Sequence, residues 1–340
     1  MRIVVASVQV PYIAGGAEIL ARGLVDALRA GGHATELVTL PFRFFPGAEV
    51  ERAMTVWEGE DFSRLNLYEP DLVVCLKFPA YGLAHPRKVA WLLHQHRAGD
   101  AAQAAASPAE STLARAVEIF DRQHLATCRR FAISRRVADR LAATTGLAAD
   151  VLYHPPYEPE RFHTAEAMPY VLMPSRLEDG KRQELLVRAM ALVRTSVGAL
   201  LVGEGGQHGR LAGLVAELGL QSRVRLLGAV SWDELRAMYA HSLAVFFGPF
   251  DEDYGYVTLE AMLSHKPVIT CTDSGGPLEF VEDGVTGAVV SPEPAAVAAA
   301  IDALWSDRAR ARRLGEAGHA RYRALDLNWA RVVERLTASP

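Results

Sequence analysis

Tyr170-Val171-Leu172-Met173-Pro174-Ser175-Arg176-Leu177-Glu178-Asp179-Gly180-Lys181-Arg182-Gln183-Glu184-Leu185-Leu186 decides the fold. Its first five residues form a short apolar run, which reads as a buried strand. A charged turn containing one glycine follows. From Arg182 to Arg194 the apolar residues recur at helical spacing, with Leu185, Leu186, Ala189, Leu192 and Val193 on one face. An apolar strand feeding a helix through a polar turn is the repeating unit of a parallel sheet covered on both faces.

The same unit recurs in both directions along the chain. Towards the C-terminus, Ala199–Val202, Val224–Leu227, Leu243–Phe247, Val268–Cys271 and Ala288–Val290 read as strands. The Ala- and Arg-rich stretches 295–305 and 307–323 read as helices. Towards the N-terminus, Ile3–Ala6, Glu36–Leu40, Asp71–Cys75, Val89–Leu93, Phe131–Ser134 and Val151 are strands. A helix from Ala17 to Ala30 follows the first and stops at Gly31-Gly32. Between the halves lies His154-Pro155-Pro156-Tyr157-Glu158-Pro159-Glu160-Arg161-Phe162, whose prolines permit neither a helix interior nor a central strand. This segment predicts a crossing between an N-terminal domain, 1–157, and a C-terminal domain, 158–320. The fold class is α/β, with two Rossmann-like domains.

Bulk composition narrows the function. The 340 residues are too many for one ordinary α/β core and suit two. Half are hydrophobic, 22% are charged and the net charge is −4, so no overall basic footprint for nucleic acid exists. Cys75, Cys128 and Cys271 are scattered and odd in number, which fits a reducing compartment rather than a disulfide or zinc framework. The opening residues lack a secretory apolar stretch, and no window approaches the roughly 18 apolar residues of a spanning helix. The expected location is cytoplasmic, with peripheral membrane association left open. Residues 99–112, rich in Ala, Ser, Gln and Pro, read as an exposed spacer or as a lid over an acceptor.

Chemistry concentrates at strand ends. Asp251-Glu252-Asp253-Tyr254-Gly255-Tyr256-Val257-Thr258-Leu259-Glu260-Ala261-Met262 follows a strand and enters a helix. Glu252 falls in the loop and Glu260 about a turn into the helix. Ligands of open α/β sheets bind at this edge. Carboxylates there accept several hydrogen bonds each, which suits the capture of sugar hydroxyls. An acidic loop and a helix-start Glu favoured by the dipole account for the same residues without a ligand. Arg176 and Lys181 flank a helix start, where backbone N–H groups already favour an anion. The guanidinium fork and the compact ammonium both suit phosphate oxygens; a solvated basic loop is the alternative. Gly15-Gly16 and Gly203-Glu204-Gly205 follow strands and permit close backbone approach. His94 and His96 stand two apart without a third ligand of fixed spacing, so no metal site is expected. Phe42-Arg43-Phe44-Phe45 reads as core packing or as a greasy edge. Arg129, Arg130, Arg135 and Arg136 read as a solvated face or as an anionic-lipid contact.

Taken together, these motifs resemble the retaining glycosyltransferases of the GT-B fold, most closely glycosyltransferase family 4. The Glu252-x7-Glu260 run, Arg176 with Lys181, and Ser274-Gly275-Gly276-Pro277 with Glu279, Asp283-Gly284 and Thr286-Gly287 carry the resemblance. It implies two domains facing across a cleft, the last helix, 321–340, packing back toward the first domain. It implies that Glu252 contacts the transferred sugar and Glu260 the ribose, while Arg176 and Lys181 grip the donor diphosphate. It adds Gly15, Gly16, Gly203, Leu227, Tyr254, Gly255, Tyr256 and Val257 to the donor-binding set and His94 to the catalytic one, His94 being preferred over His96. Arg182 is expected to point outward. The partners implied are a nucleoside-diphosphate sugar as substrate and an acceptor (glycan, lipid-linked or small molecule), with no cofactor and no metal. An epimerase or phosphorylase of the same fold, or a non-catalytic nucleotide-sugar binder, remains the alternative.

Overall fold

The computed structural model describes residues 1–12, 15–65, 68–96 and 108–338, the side chains of 108–110 excepted. The spacer or lid read at 99–112 lies largely outside them. In chain order the elements are β1 (Arg2–Gln9), α1 (Gly16–Ala30), β2 (Ala34–Pro41), α2 (Gly47–Glu58), β3 (Leu72–Cys75), β4 (Lys88–Leu92), α3 (Pro108–Leu125), β5 (Arg129–Ala132), α4 (Arg135–Thr145) and β6 (Asp150–Val151). They continue with β7 (Tyr170–Pro174), α5 (Gln183–Met190), β8 (Gly198–Val202), α6 (His208–Glu217), β9 (Val224–Leu226), α7 (Trp232–His241), β10 (Ala244–Phe246) and α8 (Tyr256–Leu263). β11 (Val268–Cys271), β12 (Gly287–Val290), α9 (Pro294–Ser306), α10 (Arg308–Ala324) and α11 (Trp329–Thr337) complete the chain.

Two compact units result: residues 1–157 with 328–340, and residues 158–327. The returning C-terminal segment therefore starts at Asn328. Residues 321–327 stay with the second unit, because α10 runs on to Ala324 and Tyr322 is buried there.

In the first unit six parallel strands order as β2-β1-β3-β4-β5-β6. The β1 and β3 side chains, from Ile3 to Ala6 and from Leu72 to Cys75, are almost wholly buried. Such unbroken apolar runs can exist only where helices cover both sheet faces. α11 docks on α1, where Gly23 leaves room for the Trp329 ring. Trp329 also stacks on His154 and meets Trp91 edge-on. Arg129 donates to the Arg335 carbonyl at 2.9 Å and to that of Ala338, tying down the same helix. Arg130 donates to the carbonyls of Leu125, Cys128 and Ala148. These two arginines hold backbone, which corrects the reading of them as a solvated or lipid-facing pair.

The second unit repeats the plan with strand order β12-β11-β10-β7-β8-β9, again all parallel. Its core joins β7, β8, β10 and β11 to the inner faces of α5, α6, α9 and α10. Leu192, expected on the buried face of a helix running to Arg194, is half exposed: α5 ends at Met190 and the chain turns there. Among the described residues no helix is long and apolar enough to cross a membrane.

Alanine in an open helix interior gains about 1 kcal/mol over glycine. A Cβ on Gly23 would lie 2.5 Å from the Trp329 ring, and overpacking costs roughly 1–3 kcal/mol. Gly23→Ala should therefore lower the urea midpoint of the protein. A raised midpoint would mean that α11 does not dock on this face.

Candidate functional site

The loops leaving the carboxyl ends of β7 to β11 are stitched together by backbone hydrogen bonds. Ser175 N–H donates to the Val202 carbonyl (2.9 Å), Leu177 N–H to Glu204 (2.8 Å) and Gly203 N–H to Gly228 (2.8 Å). On the other side, Phe250 N–H donates to Gly180 (2.9 Å) and Glu252 N–H to Ser274 (3.0 Å). Gly203, at φ 131°, abuts the Ser175 carbonyl so closely that a Cβ would sit 2.2 Å from it. Only glycine fits such an approach. Leu227, half-buried, donates to the Leu201 carbonyl at the end of the β9 ladder.

Within this frame the two charged motifs meet. Lys181 Nζ, on the β7 loop, forms an ion pair with Glu252 Oε2, on the β10 loop. Each side chain keeps about a fifth of its surface exposed: 20% for Lys181 and 21% for Glu252. The Phe247 ring lies 5.9 Å from the ammonium. Asp251, immediately before Glu252, adopts φ 47°, a conformation that Asp tolerates better than most residues. Gly276 N–H donates to the Glu252 carbonyl at 2.7 Å, and a Cβ on Gly275 would collide with that same oxygen at 2.6 Å. The Ser274–Pro277 signature thus clamps the backbone that carries Glu252. Arg176 is exposed and pairs with Glu178 at 2.8 Å.

Arg182 does not point outward. It donates two parallel hydrogen bonds, both 2.7 Å, to Asp273, and its guanidinium lies over Phe250. The fork of a guanidinium matches a carboxylate, and Asp273 follows β11 in the adjoining loop. Sequence reasoning missed Asp273 because nothing in its spacing marks it as a partner.

Glu260 sits in α8, buried at 6% exposure. Its Oε2 accepts a hydrogen bond from the Tyr239 hydroxyl at 2.6 Å. Burial pushes the Glu260 carboxyl up to about 7, against the opposing pull of Tyr239 and the nearby Arg236. Tyr239 also escaped the sequence reading, since no motif or spacing marks it. Gly255, at φ 87°, caps α8, and Tyr256 and Val257 form its first turn. Tyr254 is buried against Tyr256 and Phe280, so its ring packs.

In the first unit the Gly15 amide is taken by Glu18 Oε2 at 2.9 Å, while Glu18 Oε1 pairs with the buried Lys77 at 2.6 Å. Gly16 opens α1 and is exposed. His96 stacks on Phe78 at 5.0 Å and lies edge-on to Phe42, and burial pushes its imidazole down to about 4. It therefore packs as a neutral ring. His94, half-buried beside it, makes its own contacts. Phe42 is core, whereas Phe44 and Phe45 are exposed, so core packing describes only one of the three. Among the described residues no three His, Cys, Asp or Glu side chains group as metal ligands.

Two parallel-sheet Rossmann-like units, with glycine turns at the strand ends, are the elements of the GT-B fold. Residues 158–321, most of the second unit, match the profile of the family described as glycosyl transferases group 1. The D-inositol 3-phosphate glycosyltransferase of Nocardia farcinica is 35% identical over 186 residues, 52% of this chain and 41% of that protein. A GDP-mannose-dependent alpha-(1-6)-phosphatidylinositol monomannoside mannosyltransferase of Mycobacterium tuberculosis is 35% identical over 213 residues, 55% of this chain and 54% of that protein. The matched segment spans about half the length of these relatives. Among solved structures, sucrose-phosphate synthase from Thermosynechococcus elongatus superposes with a TM-score of 0.79 at 22% identity, covering 98% of this chain and 97% of that one. HepE of Anabaena, in complex with UDP and glucose, gives 0.74 at 19% identity, covering 98% of both chains.

A carboxyl whose folded pKa is raised favours folding most below its unfolded value, here 4.5, and loses that contribution as pH rises through about 7. Glu260→Gln removes this titration. The stability of Glu260→Gln relative to the native protein should therefore rise between pH 5 and pH 8, by at most about 3 kcal/mol. Urea unfolding of both proteins across this range checks it. A difference independent of pH would mean that Glu260 titrates normally.

Proposed function

We propose that this chain is a retaining, metal-independent glycosyltransferase that moves a sugar from a nucleoside-diphosphate donor held by its second unit. One observation carries the reading: Lys181 and Glu252, from motifs 71 residues apart, meet at the carboxyl edge of the second sheet. A cation for phosphate and a carboxylate for sugar hydroxyls at one place suit a nucleotide sugar and few other ligands. The relatives support the donor class. One is named as GDP-mannose-dependent, and the HepE structure holds UDP and glucose.

In this reading the donor diphosphate displaces Glu252 from Lys181 and draws in Arg176, which lies exposed close by in sequence. The first-turn amides of α8, at Tyr256 and Val257 behind the Gly255 cap, add their partial positive charge. Gly203 lets the backbone approach the ligand, and the β9 end at Leu227 lies beside the nucleobase. Glu260 accepts the ribose hydroxyls. Glu252, released from Lys181, accepts hydroxyls of the transferred sugar. As the glycosidic bond breaks, negative charge accumulates on the departing diphosphate, and Lys181 and Arg176 meet it there. These side chains supply the charge that a divalent ion supplies elsewhere. The acceptor attacks from the face that the diphosphate leaves, and a phosphate oxygen takes the acceptor proton. His94 and the Gly15-Gly16 amides meet the transferred sugar or the departing diphosphate.

Groups that meet developing charge matter more in the transition state than in the bound donor. Lys181→Ala should lower kcat on the order of 10²–10³ and raise the donor KM less, with native activity unaffected by EDTA. A defect in KM alone, or loss of activity in EDTA with rescue by Mg²⁺ or Mn²⁺, would contradict the mechanism.

Glu252 and Glu260 should part company in binding. Glu260→Ala should weaken UDP or GDP by about 1.5–3 kcal/mol, the worth of a charged hydrogen-bond partner. Glu252→Gln frees Lys181, and should leave nucleotide binding intact or tighter while crippling transfer. Calorimetry on both variants decides; equal losses of nucleotide affinity would show the two roles to be misassigned.

A further inference from the structure

The strongest feature that the proposed mechanism does not use is the buried contact between α7 and α8. Tyr239 is wholly buried, and its hydroxyl reaches Glu260 Oε2 at 2.6 Å. We infer that Tyr239 is a positioning residue, which fixes the Glu260 carboxylate so that its remaining lone pairs meet the two hydroxyls of a ribose. This inference rests on the assignment of Glu260 to the ribose.

The terminal torsion of a glutamate is broad, so a lone carboxylate samples many orientations. Vicinal hydroxyls require two acceptor directions at once, and ordering them only on binding costs affinity. A hydroxyl bonded to one oxygen removes that freedom in advance. The donor itself must then be immobile, and here it is. α7 begins with a reciprocal capping pair, Ser231 N–H to Glu234 Oε2 at 2.8 Å and Glu234 N–H to Ser231 Oγ at 3.3 Å. At its other end Ser242 Oγ donates to the Tyr239 carbonyl at 3.0 Å, and the Tyr170 hydroxyl donates to that of Met238 at 2.7 Å. The Tyr239 ring packs edge-on against Phe162. Burial and the adjoining carboxylate hold the phenol proton well above its ordinary range, so Tyr239 serves Glu260 as a donor at every working pH.

A side chain that only fills the core would affect all nucleotides alike. A positioning residue affects those that carry the hydroxyls. The readout is therefore the ratio of dissociation constants for 2′-deoxy-UDP and UDP, and for 2′-deoxy-GDP and GDP, taken for whichever base binds more tightly. A ratio measured on one sample does not depend on the fraction folded. The native protein should prefer the ribonucleotide, and Glu260→Gln should reduce that preference. Tyr239→Phe, which keeps the ring, should reduce it about 3- to 10-fold, as expected for one net hydrogen bond. An unchanged ratio in Tyr239→Phe, with a reduced one in Glu260→Gln, would overturn the positioning role and leave the ribose assignment standing. An unchanged ratio in Glu260→Gln, or no preference in the native protein, would overturn the ribose assignment and this inference with it.

Discussion

The ion pair between Lys181 and Glu252 is the constraint around which the second unit is arranged. Exposed ion pairs are worth roughly 0–1 kcal/mol, whereas removing one partner of a buried pair costs about 3–5 kcal/mol. With about a fifth of each side chain open to solvent, this pair lies between those limits. Neither charge is comfortable alone, yet both remain reachable. A ligand that brings a phosphate to the lysine and hydroxyls to the glutamate satisfies both at once. The pair thus ties the two loops together and sets the chemistry that a ligand replacing it must supply.

Holding two such loops in register demands much of the backbone. Gly203 and Gly205 allow the β8 turn to press on the Ser175 and Leu177 carbonyls, and Gly275 and Gly276 do the same against the loop of Glu252. Arg182 with Asp273 adds a second tie between the β7 and β11 loops. α8 presents Glu260 from a different direction, anchored by Tyr239 of α7. Charge, glycine and one buried hydroxyl together make the strand ends a single rigid edge. Among the described residues at the comparable edge of the first unit, Glu18 bridges the Gly15 amide and Lys77, and His96 is packed among phenylalanines.

The alternation of strands and helices was legible because the central strands, such as β3, β7 and β10, are short apolar runs set between amphipathic helices. The Glu252–Glu260 spacing and the glycine turns were equally plain. What escaped were pairings across loops. Asp273 gains its meaning only from Arg182, which precedes it by 91 positions, and the outward reading of Arg182 failed for lack of that partner. Tyr239 drew no reading from the sequence; it is core, with one polar atom that matters. Arg129 and Arg130 looked solvated because no sequence pattern reveals that carbonyls from α11 and from the turn after α3 converge on them. Periodicity reports which face of an element is buried; it does not report which polar atoms meet there.

The most direct test of this account is a crystal structure of the protein soaked with UDP or GDP. The account predicts diphosphate oxygens within hydrogen-bond reach of Lys181 and Arg176, the Lys181–Glu252 pair opened, and the ribose hydroxyls on Glu260. A nucleotide bound elsewhere, with Lys181 still paired to Glu252, would contradict it.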